Sequence, residues 1–220
     1  MLKYCLIVFQ LLAVGLHAQT DSVLVTKNFK FRDGVYRTFS DWRNNSPNWS
    51  WDSLNVVSAA NPNTFLTQVE YIRFADGRPM HLDSIWGLVI SGIPYVRLPK
   101  GAVTKPLTSF AGLRVRGLIG YYNYEVVEEE MVEIQAYNPV TGVPFRKGKV
   151  KKQSKTLREF MIHFERGETQ VFNRENLMSW IADDARLAEA VAALPEDDLE
   201  EKLFKALLIY VDRYPVYTQK

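Results

Sequence analysis

Cysteine is all but missing from this chain. The single one, Cys5, lies in an apolar run at the very start, so once that run is removed no thiol remains. A chain without thiols has no disulfide framework, no thiolate nucleophile and no thiolate metal site. Histidine is nearly as scarce: His17, His81 and His163 are the only three, and no HExxH or calcium-loop spacing occurs. No metal and no cofactor is therefore expected. The G-x-S-x-G elbow and the S-x-x-K set are absent too, which leaves any triad on His81 or His163 to be assembled by the fold alone. A large excess of one charge is also lacking. The 27 Lys+Arg against 25 Asp+Glu leave +2, so no global field draws the chain to nucleic acid, and none is expected as a partner.

What the chain does have begins with its first eighteen residues. Lys3 gives a positive start, Tyr4 to Leu16 an apolar run, and Leu16-His17-Ala18 a small-residue exit. This is the order of a secretory signal peptide, with cleavage expected after Ala18. The run is about 13 residues, short of the roughly 20 that span a bilayer as a helix. The expectation is an exported protein, periplasmic or associated with the outer membrane, with no transmembrane span after cleavage. The remainder is rich enough in apolar residues (47% of the chain, with 13% aromatic) to fold around a core without disulfides.

From residue 19 to 172 the pattern reads as strands. Asp33-Gly34 marks a turn, Val35 to Phe39 a short strand, and Ser40 or Asp41 the cap of a helical turn through Trp42. Leu54 to Ala59 and Thr64 to Phe74 follow, separated by Asn61-Pro62-Asn63. Ser91-Gly92 between Ile85–Ile90 and Ile93–Leu98 predicts a tight hairpin, and Pro94 places its second strand at an edge or makes it start late. Leu113–Tyr124 and Val126–Tyr137 read as an antiparallel pair joined near Asn123. Val132, Ile134 and Ala136 share one face of it, as in a sheet with one wet side. Thr156–Glu165 and Thr169–Phe172 are further strands. From Asn173 to Pro215 the period becomes helical. Asn173 and Asp183 or Asp184 act as caps, carboxylates 196–198 stand at the start of a third helix, and Leu199, Leu203, Leu207 and Tyr210 form its apolar stripe. The fold class expected is α+β: one domain over 19–220, a strongly bent or partly closed antiparallel sheet with three C-terminal helices.

Four groups of residues stand out as candidate sites. Trp42, Trp49 and Trp51 surround an Asn- and Ser-rich segment; rings there stack on sugar faces or cover the sheet as core, with Trp49 and Trp51 the better ligand candidates. Tyr121, Tyr122 and Tyr124 would line the mouth of a curved sheet if it held a small apolar ligand. Glu125, Glu128, Glu129, Glu130 and Glu133 suggest a glycan-active carboxylate pair, but consecutive like charges favour a solvated turn or strand end. The basic run Arg146, Lys147, Lys149, Lys151, Lys152, Lys155 and Arg158 reads as an exposed loop, suited to anionic headgroups or acidic glycans or to pairing with the glutamates.

One longer pattern runs through these segments. Phe31-x-Asp33-Gly34-x-Tyr36-x-Thr38-Phe39-x-Asp41-Trp42-x-Asn44-Asn45-x-Pro47 is followed by Trp86-Gly87-Leu88, Gly92-x-Pro94-Tyr95, Asn173-x-x-Asn176-Leu177 and a closing helix ending Tyr214-Pro215. It resembles a family of secreted proteins common in Bacteroidota that carries no established activity. The resemblance implies an envelope location and transfers no catalytic residue. The function expected is thus a non-enzymatic envelope protein that binds or assembles, with an envelope protein or a glycan as partner. A carrier of a small apolar ligand and a glycan-active enzyme are the alternatives.

Overall fold

The computed structural model describes residues 22–61, 63–103, 107–137, 139–142 and 144–220, with the backbone alone at 136, 145 and 146. The expected signal peptide lies outside the described residues. The architecture is α+β: a strongly curled antiparallel sheet, a long hairpin laid across it and helices behind the hairpin.

Six strands make the main sheet: β2 (Gly34–Tyr36), β3 (Leu54–Asn61), β4 (Leu66–Phe74), β5 (Gly87–Ile90), β6 (Ile93–Arg97) and β7 (Thr108–Gly112). Their spatial order is β2-β5-β6-β7-β4-β3, every neighbour antiparallel. Ser91 and Gly92 both have positive φ and close the β5–β6 hairpin, as the turn chemistry requires. Pro94, by contrast, is not on an edge strand: β6 is interior. Its carbonyl accepts from Leu113 N–H, just past the end of β7, whose ladder with β6 starts only at Tyr95. That bond marks a hydrogen-bonded pair whose return bond the proline cannot give, so the ladder with β7 starts late, at Tyr95. Gly34 (φ 146°) starts β2 because a Cβ there would meet the Trp49 carbonyl oxygen at 2.3 Å.

The helical turn after β2 is α1 (Phe39–Arg43), and its cap is Thr38 rather than Ser40 or Asp41. Thr38 Oγ1 accepts from Asp41 N–H while Asp41 accepts from Thr38 N–H, a reciprocal capping box. The capping box begins two or three residues before the caps expected from the sequence, and the strand stops at Tyr36.

The largest departure from the sequence reading concerns the middle of the chain. There is no turn near Asn123. Residues 119–137 form a single strand, β8 (Ile119–Tyr137), paired along its length with β9 (Pro144–His163), and β10 (Thr169–Val171) adds to the base of β9. The basic run is therefore strand, not loop, and the glutamates lie mid-strand, not at a turn. Asn123 pairs opposite Glu159 in an unbroken ladder. Asn-Tyr-Glu contains no glycine or proline to force a reversal, whereas the sequence Asn138-Pro139-Val140-Thr141-Gly142 does, and residues 139–141 are turn.

Behind the hairpin stand α2 (Arg174–Trp180), α3 (Ala185–Ala192) and α4 (Leu199–Arg213). Asn173 and Asp184 cap the first two through bonds from Asn176 and Leu187 N–H. After Pro215 the chain does not simply end: β11 (Tyr217–Gln219) pairs with β1 (Ser22–Leu24), tying the two ends of the described chain together.

Burial follows the alternation of the strands. One face of the main sheet (Val35, Val69, Ile72, Leu88, Tyr95, Phe110) is covered by its own loops through Met80, Ile85, Trp49 and Trp51. The other (Val89, Val96, Ala111) meets Trp42, Tyr122, Tyr124 and Ile162 at the hairpin base. The opposite face of that base, Ile119, Tyr121 and Met161, receives Leu177, Trp180, Leu203, Leu207 and Tyr210 from the helices. The first half of β8–β9 is thus a central layer buried on both sides.

Candidate functional site

The same two strands leave the core and continue into solvent. From Glu128 to Tyr137 and from Pro144 to Lys155, every described side chain except Val132 is exposed. At about 3.3 Å per residue, β8 from Val127 onward reaches roughly 35 Å beyond the body. Among the described residues neither long edge of this distal ribbon is paired, since β10 meets β9 only at 160–162. A two-stranded ribbon on its own is marginal in water. Charge pairing supports this one: Lys151 Nζ meets Glu129 at 3.2 Å, Lys155 meets Glu125 at 3.2 Å, and Arg158 meets Glu128 at 2.6 Å. These pairs are exposed, so each contributes at most about 1 kcal/mol.

Register sorts the distal side chains onto two faces. Val132 opposes Val150 and Ile134 opposes Gly148, giving one apolar face. Ile134 and Val150 are 48% and 43% exposed, well above core values. The other face carries Met131 with Lys151, Glu133 with Lys149 and Gln135 with Lys147. Lys147, Lys149 and Lys152 form no ion pair among the described residues. Arg146 pairs in register with Ala136.

The aromatic candidates have structural roles. Tyr122 and Tyr124 are buried with their rings stacked on Phe160 at 5.4 and 5.6 Å, so neither lines an open mouth. Trp51 is half-buried and donates its indole N–H to Val89 O at 2.8 Å, while Trp49 packs edge-on to Phe74 and bridges Val35 through its backbone. Tyr121 is buried too, but its hydroxyl reaches a cleft of about 520 Å³ between the hairpin and α4. There it donates a short hydrogen bond to Glu159 and accepts from Asn123, which in turn accepts from Arg114. Burial raises the Tyr121 hydroxyl's pKa, and the Glu159 carboxylate adds to the rise.

A second cleft, of about 830 Å³, gathers His81, Asp83, Arg97, Lys100 and Ser109. Its polar groups do not form a relay. Asp83 is held by Lys100 at 2.6 Å, and that bond lowers its pKa. Ser109 points to its neighbour Leu107 O, and no hydrogen bond joins His81 to Asp83 or Ser109 among the described residues. A third, apolar groove of about 800 Å³ lies between β1 and α4, with Leu24, Leu208 and Ile209 exposed on it. Among the described residues no group of acids, histidines and cysteines has the geometry of a metal site, and no helix is long and apolar enough to cross a membrane. No family model matches the chain, and neither a curated protein nor a solved structure is significantly similar to it.

His163, the other candidate histidine, is a structural residue of β9. It is buried against the edge of Trp180 at 5.6 Å, and its Nδ1 accepts from Glu165 N–H. Burial lowers its pKa, with Arg166 adding to the effect. The unfolded chain, with His near 6.5, then binds the proton more readily than the native state. Its contribution to stability is complete above about pH 6.5 and is lost as pH falls through that value toward the lower native pKa. Thermal unfolding followed at about pH 7.5 and about pH 5.5 is expected to show a lower midpoint at the acid end, and His163→Gln to flatten that difference. An equal slope in the variant would remove His163 as its source.

Proposed function

We propose that this chain is a non-enzymatic binding or assembly protein of the cell envelope, and that the β8–β9 arm is the part that engages the partner. One observation carries the reading: a hairpin anchored by both faces in the core continues outward as a bare ribbon with an apolar face, Val132, Ile134 and Val150, turned to solvent. An apolar strip on an unpaired ribbon is a liability unless something covers it. The anchoring also suits the role. Load on the arm passes directly into the layer between the sheet and the helices.

Site-specific photocrosslinking in living cells tests this. A photoreactive residue at Ile134 or Val150 is expected to give discrete adducts in the envelope fraction, and the same probe at exposed Glu70 on the main sheet is expected to give none. Adducts from Glu70 and not from the arm would move the binding surface to the body.

A further inference from the structure

Charge changes sign along the arm. Between residues 130 and 152, which face each other in the ladder, the sequence has two acids, Glu130 and Glu133, against Arg146, Lys147, Lys149, Lys151 and Lys152, a net +3, whereas Glu125, Glu128 and Glu129 crowd the part nearer the body. The glutamates with ion partners on the arm, Glu125, Glu128 and Glu129, take up Lys155, Arg158 and Lys151, which leaves Lys147, Lys149 and Lys152 unpaired among the described residues. The outer part of the arm is therefore a narrow ribbon with Val132, Ile134 and Val150 on one face, flanked there by Lys152 opposite Glu130, and with Lys147, Lys149 and Lys151 on the other.

We propose that this distal ribbon lies against a lipid bilayer bearing anionic headgroups, with Val132, Ile134 and Val150 turned into the headgroup boundary, Lys152 beside them on the same face, and Lys147 and Lys149 reaching around from the other face to the phosphates. The proposal rests on the arm being the binding element and names what it binds. Three features favour lipid over other partners. The apolar face is shallow: Gly148 leaves no side chain opposite Ile134, and a Cβ placed there would meet nothing nearer than Ile134 Cγ1 at 4.0 Å, so no enclosed pocket forms for a protein side chain. The free cations among the described side chains there are lysines, long and flexible point charges that suit a diffuse anionic surface and snorkel past apolar atoms. A second copy is disfavoured, because pairing two apolar faces would bring two tips of net +3 together.

The test is sedimentation of the purified protein with vesicles of phosphatidylcholine alone and of phosphatidylcholine mixed with phosphatidylglycerol. Binding is expected to the mixed vesicles only, and to weaken as salt is raised. Neutralising Lys147, Lys149 and Lys152 by Lys→Gln is expected to lower partitioning by about fivefold per residue. Ile134→Asn with Val150→Asn, which leaves the charge unchanged, is also expected to lower it. All five positions are exposed, so folding is not at issue, and far-ultraviolet circular dichroism confirms it. Equal binding to both vesicle types, no binding to either, or indifference to the lysine variants would overturn the proposal, as would tighter retention on an acidic polysaccharide resin than on vesicles. If vesicle binding fails while arm probes still crosslink in cells, the arm binds something other than lipid; if both fail, the arm is not the binding element.

Discussion

Trp42→Ala is expected to cost about 3–5 kcal/mol, a large share of the roughly 5–15 kcal/mol that holds a domain folded. Trp42 is buried at the centre of an aromatic group: Trp86 stacks on it at 4.9 Å, Phe31 at 5.3 Å, and Phe164 meets it edge-on at 5.1 Å. Those rings come from four places in the chain, the segment before β2, helix α1, the entry to β5 and the end of β9. Removing the indole therefore opens a cavity where the sheet, the hairpin base and the N-terminal segment meet. Rings fixed on separate elements cannot collapse into it. Thermal unfolding should show a midpoint lower by roughly 10 °C or more for a chain of this size. Trp42→Phe is expected to cost much less, because it keeps most of the packing and removes an indole N–H that has no acceptor among the described residues. A Trp42→Ala protein as stable as the parent would mean that the three layers are not joined through this residue.

Much of this architecture is legible in the residues themselves. The β5–β6 hairpin is written in Ser91-Gly92, and the helices α2 and α3 in Asn173 and Asp184 followed by apolar residues at helical spacing. The curled sheet with three helices after it follows from the change of period at Asn173. Other features depend on partners distant in sequence. Pro94 signals an edge by local rule, yet sits inside the sheet because its donor side faces the end of β7. The long arm is misread as two shorter strands and a loop because a run of lysines, or of glutamates, looks solvated wherever it lies. Only the register that sets one run beside the other makes a ribbon of them. The pairing of β1 with β11 is invisible for the same reason: two three-residue strands from opposite ends carry no pattern of their own.

The candidate site divides the same way. Tyr121, Tyr122, Trp49 and Trp51 are aromatic residues whose burial or tethering follows from layers the sequence does not display. The basic run is visible as charge, but the face each lysine takes depends on geometry. Lys147, Lys149 and Lys151 share one face, and Val132, Ile134 and Val150 share the other, only once the strands are paired.

Shortening the arm separates its role from that of the body. Joining Val126 to Thr156 by Asn-Gly removes the exposed ribbon, keeps the directly opposed pair at its base, and supplies a turn matched to the strand twist. Almost nothing buried is lost, so the unfolding midpoint is expected to move by no more than a few degrees. Binding to envelope membranes prepared from the producing cells is expected to disappear. The decisive measurement is that pair of numbers on one protein, the midpoint and the membrane-bound fraction of the shortened chain beside the parent. An unchanged midpoint with binding abolished is the result this account expects. A folded, shortened protein that still binds those membranes as well as the parent would contradict it.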